Sequence, residues 1–300
     1  MKKALVLVVL LFVIFLGEIL MFDNNTHAQD TKTFVAVTSY PLYEITNTLI
    51  GSEIEVTKLL PYGVEAHTYM PSVKTMSAIL QAKLFIYNGL GMEPWIKQDY
   101  KNAFDMSTLV SLNNTKGNDE HTHHSHGQSD PHYWLDIHNM IKMTEGISKK
   151  LIVLFPEHKV LVENNAQTYI QSLNELESEY SKTLHICQKN EIVVNHNAFG
   201  YLAASYNFEV HSLTGLSPDE QVSAKSMKDI TSLVKEEGIN TIFFESFVSD
   251  KLAQTISKET GAKVASLQPL ANVTKEEANK GYIYLMQENL KKLASAMECK

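Results

Sequence analysis

Cysteine is almost missing from this chain of 300 residues, which holds only Cys187 and Cys299. Neither lies near residue 28, so a lipid anchor of the kind that needs a cysteine directly after a cleaved signal finds no acceptor. Outside the cytoplasm the two thiols could pair, and two unpaired thiols fit the sequence equally well. Positive charge is also short: Lys and Arg total 26 against 34 Asp and Glu, for a net charge of −8. With no basic stripe to neutralise phosphates, a nucleic-acid partner is not expected. An acidic exterior suits attraction of cations instead. The methionines are scattered without clustering, which argues against a copper site, and no H-E-x-x-H motif is present.

The 44% hydrophobic content is ample for buried cores, and the length suggests two domains. Lys2 and Lys3 precede an unbroken apolar run from Ala4 to Leu16, which Gly17 and Glu18 interrupt before Ile19-Leu20-Met21-Phe22. The first run spans about 20 Å as a helix, short of the ~30 Å hydrocarbon core, so it reads as a signal peptide. Thr26-His27-Ala28 offers small residues for cleavage after Ala28, while the resumed run leaves a retained anchor open. The expected address is extracytoplasmic: the periplasm or the outer face of the cell membrane.

From Thr33 onward strand and helix patterns alternate. Strands are predicted at Phe34 to Thr38, Glu53 to Leu60 and Leu84 to Tyr87, with helices opening at Tyr40-Pro41 and at Pro71, where a first turn accepts proline. A helix over Met140 to Phe155 stops at Pro156. From Glu157 to Asn190 there is no Gly or Pro, and Tyr169, Leu173, Leu176 and Tyr180 recur at intervals of four, three and four. That pattern predicts one helix of about 28 residues, about 42 Å long. The alternation then restarts: strands at Ile192 to Asn195, Phe208 to His211, Thr241 to Phe244 and near Val264, with helices over 199–206, 225–237, 250–260 and 276–296. The expected fold class is α/β, with two lobes that each hold a parallel sheet and flanking helices, joined by one long rigid helix. The boundaries are a signal at 1–28, an N-terminal lobe at 29–156 with a His-rich loop at 119–129, a linker helix at 157–185, and a C-terminal lobe at 186–300.

The histidines carry the chemistry. His121, His123, His124 and His126 sit among Gly, Ser, Asp and Asn with no apolar pattern, which reads as a mobile polar tract that collects metal weakly. His132 is different, because Pro131 before it and Tyr133-Trp134 after it can hold its ring in one direction. His67 falls in the loop after the second strand and His196 begins the loop directly after a strand of the second lobe, at the edge where open parallel sheets bind ligands. Glu245 stands at another strand end. Three imidazoles without a thiolate favour Zn²⁺, and Mn²⁺ would want oxygen ligands as well. Spacings of 65 and 64 residues form no short motif, so each histidine taken singly reads equally well as an ordinary polar residue. Trp134, Phe199 and Tyr201 are expected to pack around the site. His138, His158, His185 and His211 are expected to have ordinary surface or core roles.

Three stretches carry a resemblance: Pro61-Tyr62-Gly63-Val64-Glu65-Ala66-His67-Thr68-Tyr69, Asp130-Pro131-His132-Tyr133-Trp134-Leu135, and Asn195-His196-Asn197-Ala198-Phe199-Gly200-Tyr201-Leu202. Together they are similar to the metal-site motifs of the zinc/manganese class of ABC-transporter solute-binding proteins, in particular its zinc-uptake members with a His-rich loop. Ile242 to Glu245 and Gly261 to Val264 match in order. The resemblance implies one metal in the cleft between the lobes, bound through His67, His132 and His196. It departs at Leu267-Gln268-Pro269-Leu270-Ala271-Asn272, where members often carry an Asp or Glu and this chain has none. Water, Glu245 or an imidazole of the His-rich loop could fill the fourth position, or Glu245 could orient a ligand histidine through its other nitrogen. The implied function is capture of Zn²⁺ and delivery to an ABC permease by a monomer that is not an enzyme. Alternatives are a manganese-specific relative, a zinc hydrolase with Glu245 as base, and a surface adhesin or free metal buffer.

Overall fold

A computed structural model describes residues 33–97, 99–112, 129–247 and 249–300. The expected N-terminal signal at 1–28 and the His-rich run 121–126 lie outside the described residues. Residues 34–300 make one unit. Its first sheet is formed by β1 (Phe34–Val37), β2 (Glu55–Lys58), β3 (Leu84–Tyr87) and β4 (Ala103–Asp105), all parallel in the order β2-β1-β3-β4. Val35 pairs with Val56 on one side and Leu84 on the other. The fourth strand went unforeseen because Ala-Phe-Asp is too short to show an alternation.

Helix α1 (Tyr40–Ile50) takes Pro41 in its first turn and buries Leu42, Ile45 and Leu49. Helix α2 (Val73–Gln81) begins two residues beyond Pro71, because Ser72 supplies the cap by accepting the Thr75 N–H. Of its apolar residues, Ile79 is buried, while Val73 and Leu80 are exposed. Helix α3 (Ile137–Leu154) starts three residues before Met140, since the Asp136 carboxylate accepts the His138 N–H and caps it.

Helix α4 (Lys159–Leu184) is the long element, 26 residues and so about 39 Å. The second sheet repeats the first: β5 (Glu191–His196), β6 (Glu209–Thr214), β7 (Thr241–Phe244) and β8 (Lys263–Ser266), parallel in the order β6-β5-β7-β8. Around it run α5 (Gly200–Tyr206), α6 (Ala224–Glu236) and α7 (Lys251–Thr260). The single last helix expected over 276–296 is two: α8 (Lys275–Ala278) and α9 (Gly281–Ala296). The break sits at Gly281, whose φ of 84° is a left-handed conformation that costs glycine little, and the Glu44 carboxylate accepts the Tyr282 N–H at 3.1 Å.

The buried face of α4 runs through Val162, Ala166, Tyr169, Leu173, Leu176, Tyr180 and Leu184. It packs on α1 and α3 from one side of the chain and on α9 from the other. One apolar cluster therefore takes in Leu42, Trp134 and Leu151 together with Leu173, Tyr282 and Leu293. The two sheets share a core, with smaller clusters on their outer faces. Cys187, just past α4, is disulfide-bonded to Cys299, just past α9, which decides what the sequence left open. Among the described residues no helix is long and apolar enough to cross a membrane.

Candidate metal centre

The site lies at the carboxyl ends of the strands, where backbone direction leaves loops rather than helices to fill the space. His196 is the last residue of β5, paired with Thr214, not the first residue of the following loop. Glu245 comes directly after β7. His67 belongs to the loop between β2 and α2, where its N–H donates to the Glu65 carboxylate at 2.9 Å and Tyr69 Oη donates to the Leu59 carbonyl at 3.0 Å.

His132 is fully buried ahead of a short 3₁₀ turn, Tyr133–Leu135. The aromatics around it are anchored as packing elements with their polar tips satisfied: Tyr133 Oη donates to Asn88 O at 2.7 Å, Trp134 Nε1 to Pro269 O at 2.7 Å, and Tyr201 Oη to Asp130 O at 3.0 Å. The Trp134 ring meets His132 edge-on with centroids 5.4 Å apart.

The structure brings all three expected histidines together. His132 Nε2 lies 3.1 Å from His67 Nε2 and 3.3 Å from His196 Nε2. One ligand nitrogen from each of the three falls within 4.8 Å of the others, and no other such metal-capable group exists among the described residues. Two nitrogens bound to one tetrahedral zinc at 2.0–2.1 Å stand about 3.3 Å apart, so the two edges from His132 have the length that a single first-row cation spans.

The far nitrogens explain why the near ones point inward. His132 Nδ1 faces Asp130 Oδ1 at 2.8 Å, and His196 Nδ1 faces Glu245 Oε1 in a buried pair. A carboxylate there makes Nδ1 the protonated nitrogen and leaves the Nε2 lone pair for a metal. Glu245 thus has the orienting role that the sequence left as one option. Burial first, and then the neighbouring His132 and His196, lower the His67 imidazole from 6.5 to about 2, so it stays neutral. Burial raises the Glu65 carboxyl, and the His67 N–H works against that rise.

No carboxylate arrives from residues 267–272. The Ala271 carbonyl accepts the Tyr40 N–H at 3.1 Å, and the Asn272 side chain is engaged by the loop ahead of His67. Asp130 in the second motif and Asn272 in the divergent segment have roles that residue type alone does not reveal. The Asp two residues before a held histidine was the available signal for the first, and no local signal marks the second. Of the other histidines, His138 is exposed beside Asp136, and His211 Nε2 pairs with Glu191 at 2.9 Å.

Residues 35–296 match the family described as zinc-uptake complex component A, periplasmic. A protein named zinc-binding lipoprotein AdcA, from Streptococcus pneumoniae, is 34% identical over 98% of this chain, which spans 60% of that relative's length. The high-affinity zinc uptake system protein ZnuA of Bacillus subtilis is 34% identical over 91% of this chain and 90% of its own. Among solved structures, the Zn(II)-bound ZnuA-like domain of Streptococcus pneumoniae AdcA superposes with a TM-score of 0.75 at 33% identity, covering 89% of this chain and 99% of that domain. The matched stretch runs through both sheets and all three histidines, and the chain belongs to this family of zinc-uptake component A proteins.

Proposed function

We propose that this protein captures Zn²⁺ outside the cytoplasm through His67, His132 and His196 and passes it to an ABC permease in the membrane. The observation that carries the reading is the Nε2 triangle with 3.1 and 3.3 Å edges, two of its rings oriented by buried carboxylates. The names of the relatives, zinc-binding and zinc-uptake proteins, support the same cargo. Among the described residues the site is nitrogen-rich and brings no carboxylate to the three Nε2 atoms, which favours zinc over manganese, since manganese prefers oxygen donors. Water completes the fourth position.

The cargo leaves unchanged. A hydrolase needs a general base beside the metal-bound water, and Glu245 is spent on His196 Nδ1, on the side of the ring away from Nε2. We read residues 1–28 as an export signal, 29–156 and 186–300 as the two lobes, 157–185 as the linker, and the working form as a monomer. We read the chain as not an N-terminal-cysteine lipoprotein, a reading that the bond between Cys187 and Cys299 supports. The His-rich loop at 119–129 gathers zinc loosely ahead of transfer.

Metal analysis of protein purified without added metal, followed by competitive titration of Zn²⁺ against Mn²⁺, tests the reading. One tight zinc per chain, lost in His132→Ala, is expected. A preference for Mn²⁺, or tight zinc surviving that substitution, would overturn it.

A further inference from the structure

The three metal-facing rings are not held in the same way. Carboxylates fix His132 and His196 at Nδ1, but among the described residues none does so for His67. The direction of the His67 ring therefore depends on its loop, and the loop depends on the segment after β8. Asn272, 5% exposed, donates from Nδ2 to the carbonyls of Pro61 at 2.6 Å and Val64 at 2.8 Å, and its Oδ1 accepts the Lys58 ammonium at 2.9 Å. Lys58 also donates to Leu60 O and lies 4.1 Å from the centre of the Tyr62 ring. The neighbouring Val273 carbonyl takes the Gly63 N–H at 3.1 Å. The amide orientation is forced, since turning it over would set an oxygen against two carbonyls and an NH₂ against an ammonium.

We propose that Asn272 is a positioning residue for the metal site, fastening the Pro61 to Val64 loop across the lobes so that His67 meets the pair formed by His132 and His196. This rests on the zinc-capture reading and adds a mechanical element to it. The two sheets share one apolar core, which resists wide lobe opening, whereas the His67 loop is tied across by a few hydrogen bonds that open at small cost. Unfastening Asn272 is thus the short route to a released cation.

The substitution Asn272→Asp tests this, because it keeps the shape and the Lys58 contact while turning the two N–H donors into an oxygen that repels both carbonyls. Zinc affinity by chelator competition is expected to fall about tenfold or more, in line with the loss of buried hydrogen bonds. In a His67→Ala background the same change is expected to alter affinity by less than about twofold, since Asn272 acts through His67. Amide exchange at Gly63 in the metal-free protein should quicken. Equal losses in the two backgrounds, or unaltered affinity in a protein whose parent binds zinc tightly, would overturn the proposal. A parent that binds no zinc would instead defeat the capture reading, and unaltered Gly63 exchange in Asn272→Asp would then still reject the fastening on its own.

Discussion

Asp130 grips His132 from two residues away: one carboxylate oxygen accepts the His132 backbone N–H at 2.9 Å and faces its ring Nδ1 at 2.8 Å. Backbone and ring are thereby set by a single atom, and the pair is buried. Removing such an orienting carboxylate commonly weakens metal binding by about 10–100-fold. Asp130→Ala should show a loss in that range by calorimetric zinc titration. Glu245→Ala should match it through His196, while Glu245→Gln should lose less, because an amide oxygen still accepts the Nδ1–H. Full affinity in both alanine variants would remove the orienting role.

Acid should weaken the metal-free protein through His67. Its imidazole is lowered to about 2 in the fold, against about 6.5 unfolded, so between those values the unfolded chain binds the extra proton. The stability this neutral ring allows is present above pH 6.5 and is lost as pH falls below it, by at most about 1.4 kcal/mol per pH unit. Chemical denaturation of the zinc-free protein at pH 7 and pH 5 should show the decline, and His67→Gln, which does not titrate, should flatten it. Saturating zinc should stabilise the fold at pH 7 by mass action. An identical pH slope in His67→Gln would assign the acid sensitivity elsewhere.

Periodicity made the two sheets and the long helix legible. Tyr169, Leu173, Leu176 and Tyr180 are four of the seven buried residues on one face of α4, and a stripe of that length leaves few alternatives to a helix. The site was legible for another reason: proline and aromatic neighbours around His132, and strand ends at His196 and Glu245, restrict where those side chains can go. What stayed hidden depends on tertiary contact. The break between α8 and α9 needs Glu44, more than two hundred residues away, to accept the Tyr282 N–H. Which apolar residue of helix α2 is buried is also a tertiary matter: Ile79 is covered, while Val73 and Leu80 face outward. Asn272 acquires its role from Pro61, Val64 and Lys58, none of which is near it in sequence.

The His-rich run gives a stoichiometry prediction. Imidazoles spaced every one to three residues among Gly, Ser and Asp, with no apolar periodicity, lead us to expect that each zinc they hold is held weakly. Deleting residues 119–127 should leave one tight site at unchanged affinity and reduce the total zinc bound at high concentration. Calorimetry that finds no tight site after the deletion would move the centre out of the His67, His132 and His196 triangle.

The disulfide gives the last test, and it separates stability from binding. Cys187 and Cys299 lie 112 residues apart in sequence, so their bond closes a long loop around the second sheet. Loops of that size restrict the unfolded chain enough to contribute about 2–5 kcal/mol. The bond sits ahead of Glu191, at the start of β5, while His196 closes the other end of the same strand, about 17 Å along it. Reduction, or a Cys187→Ser with Cys299→Ser pair, should therefore lower the thermal midpoint by roughly 5–15 °C. Zinc affinity measured well below that midpoint should stay within about twofold, because neither sulfur touches an element that orients a ligand ring. An unmoved midpoint would mean the bond adds nothing to the folded chain, and a large loss of affinity would mean that the two ends of β5 are coupled.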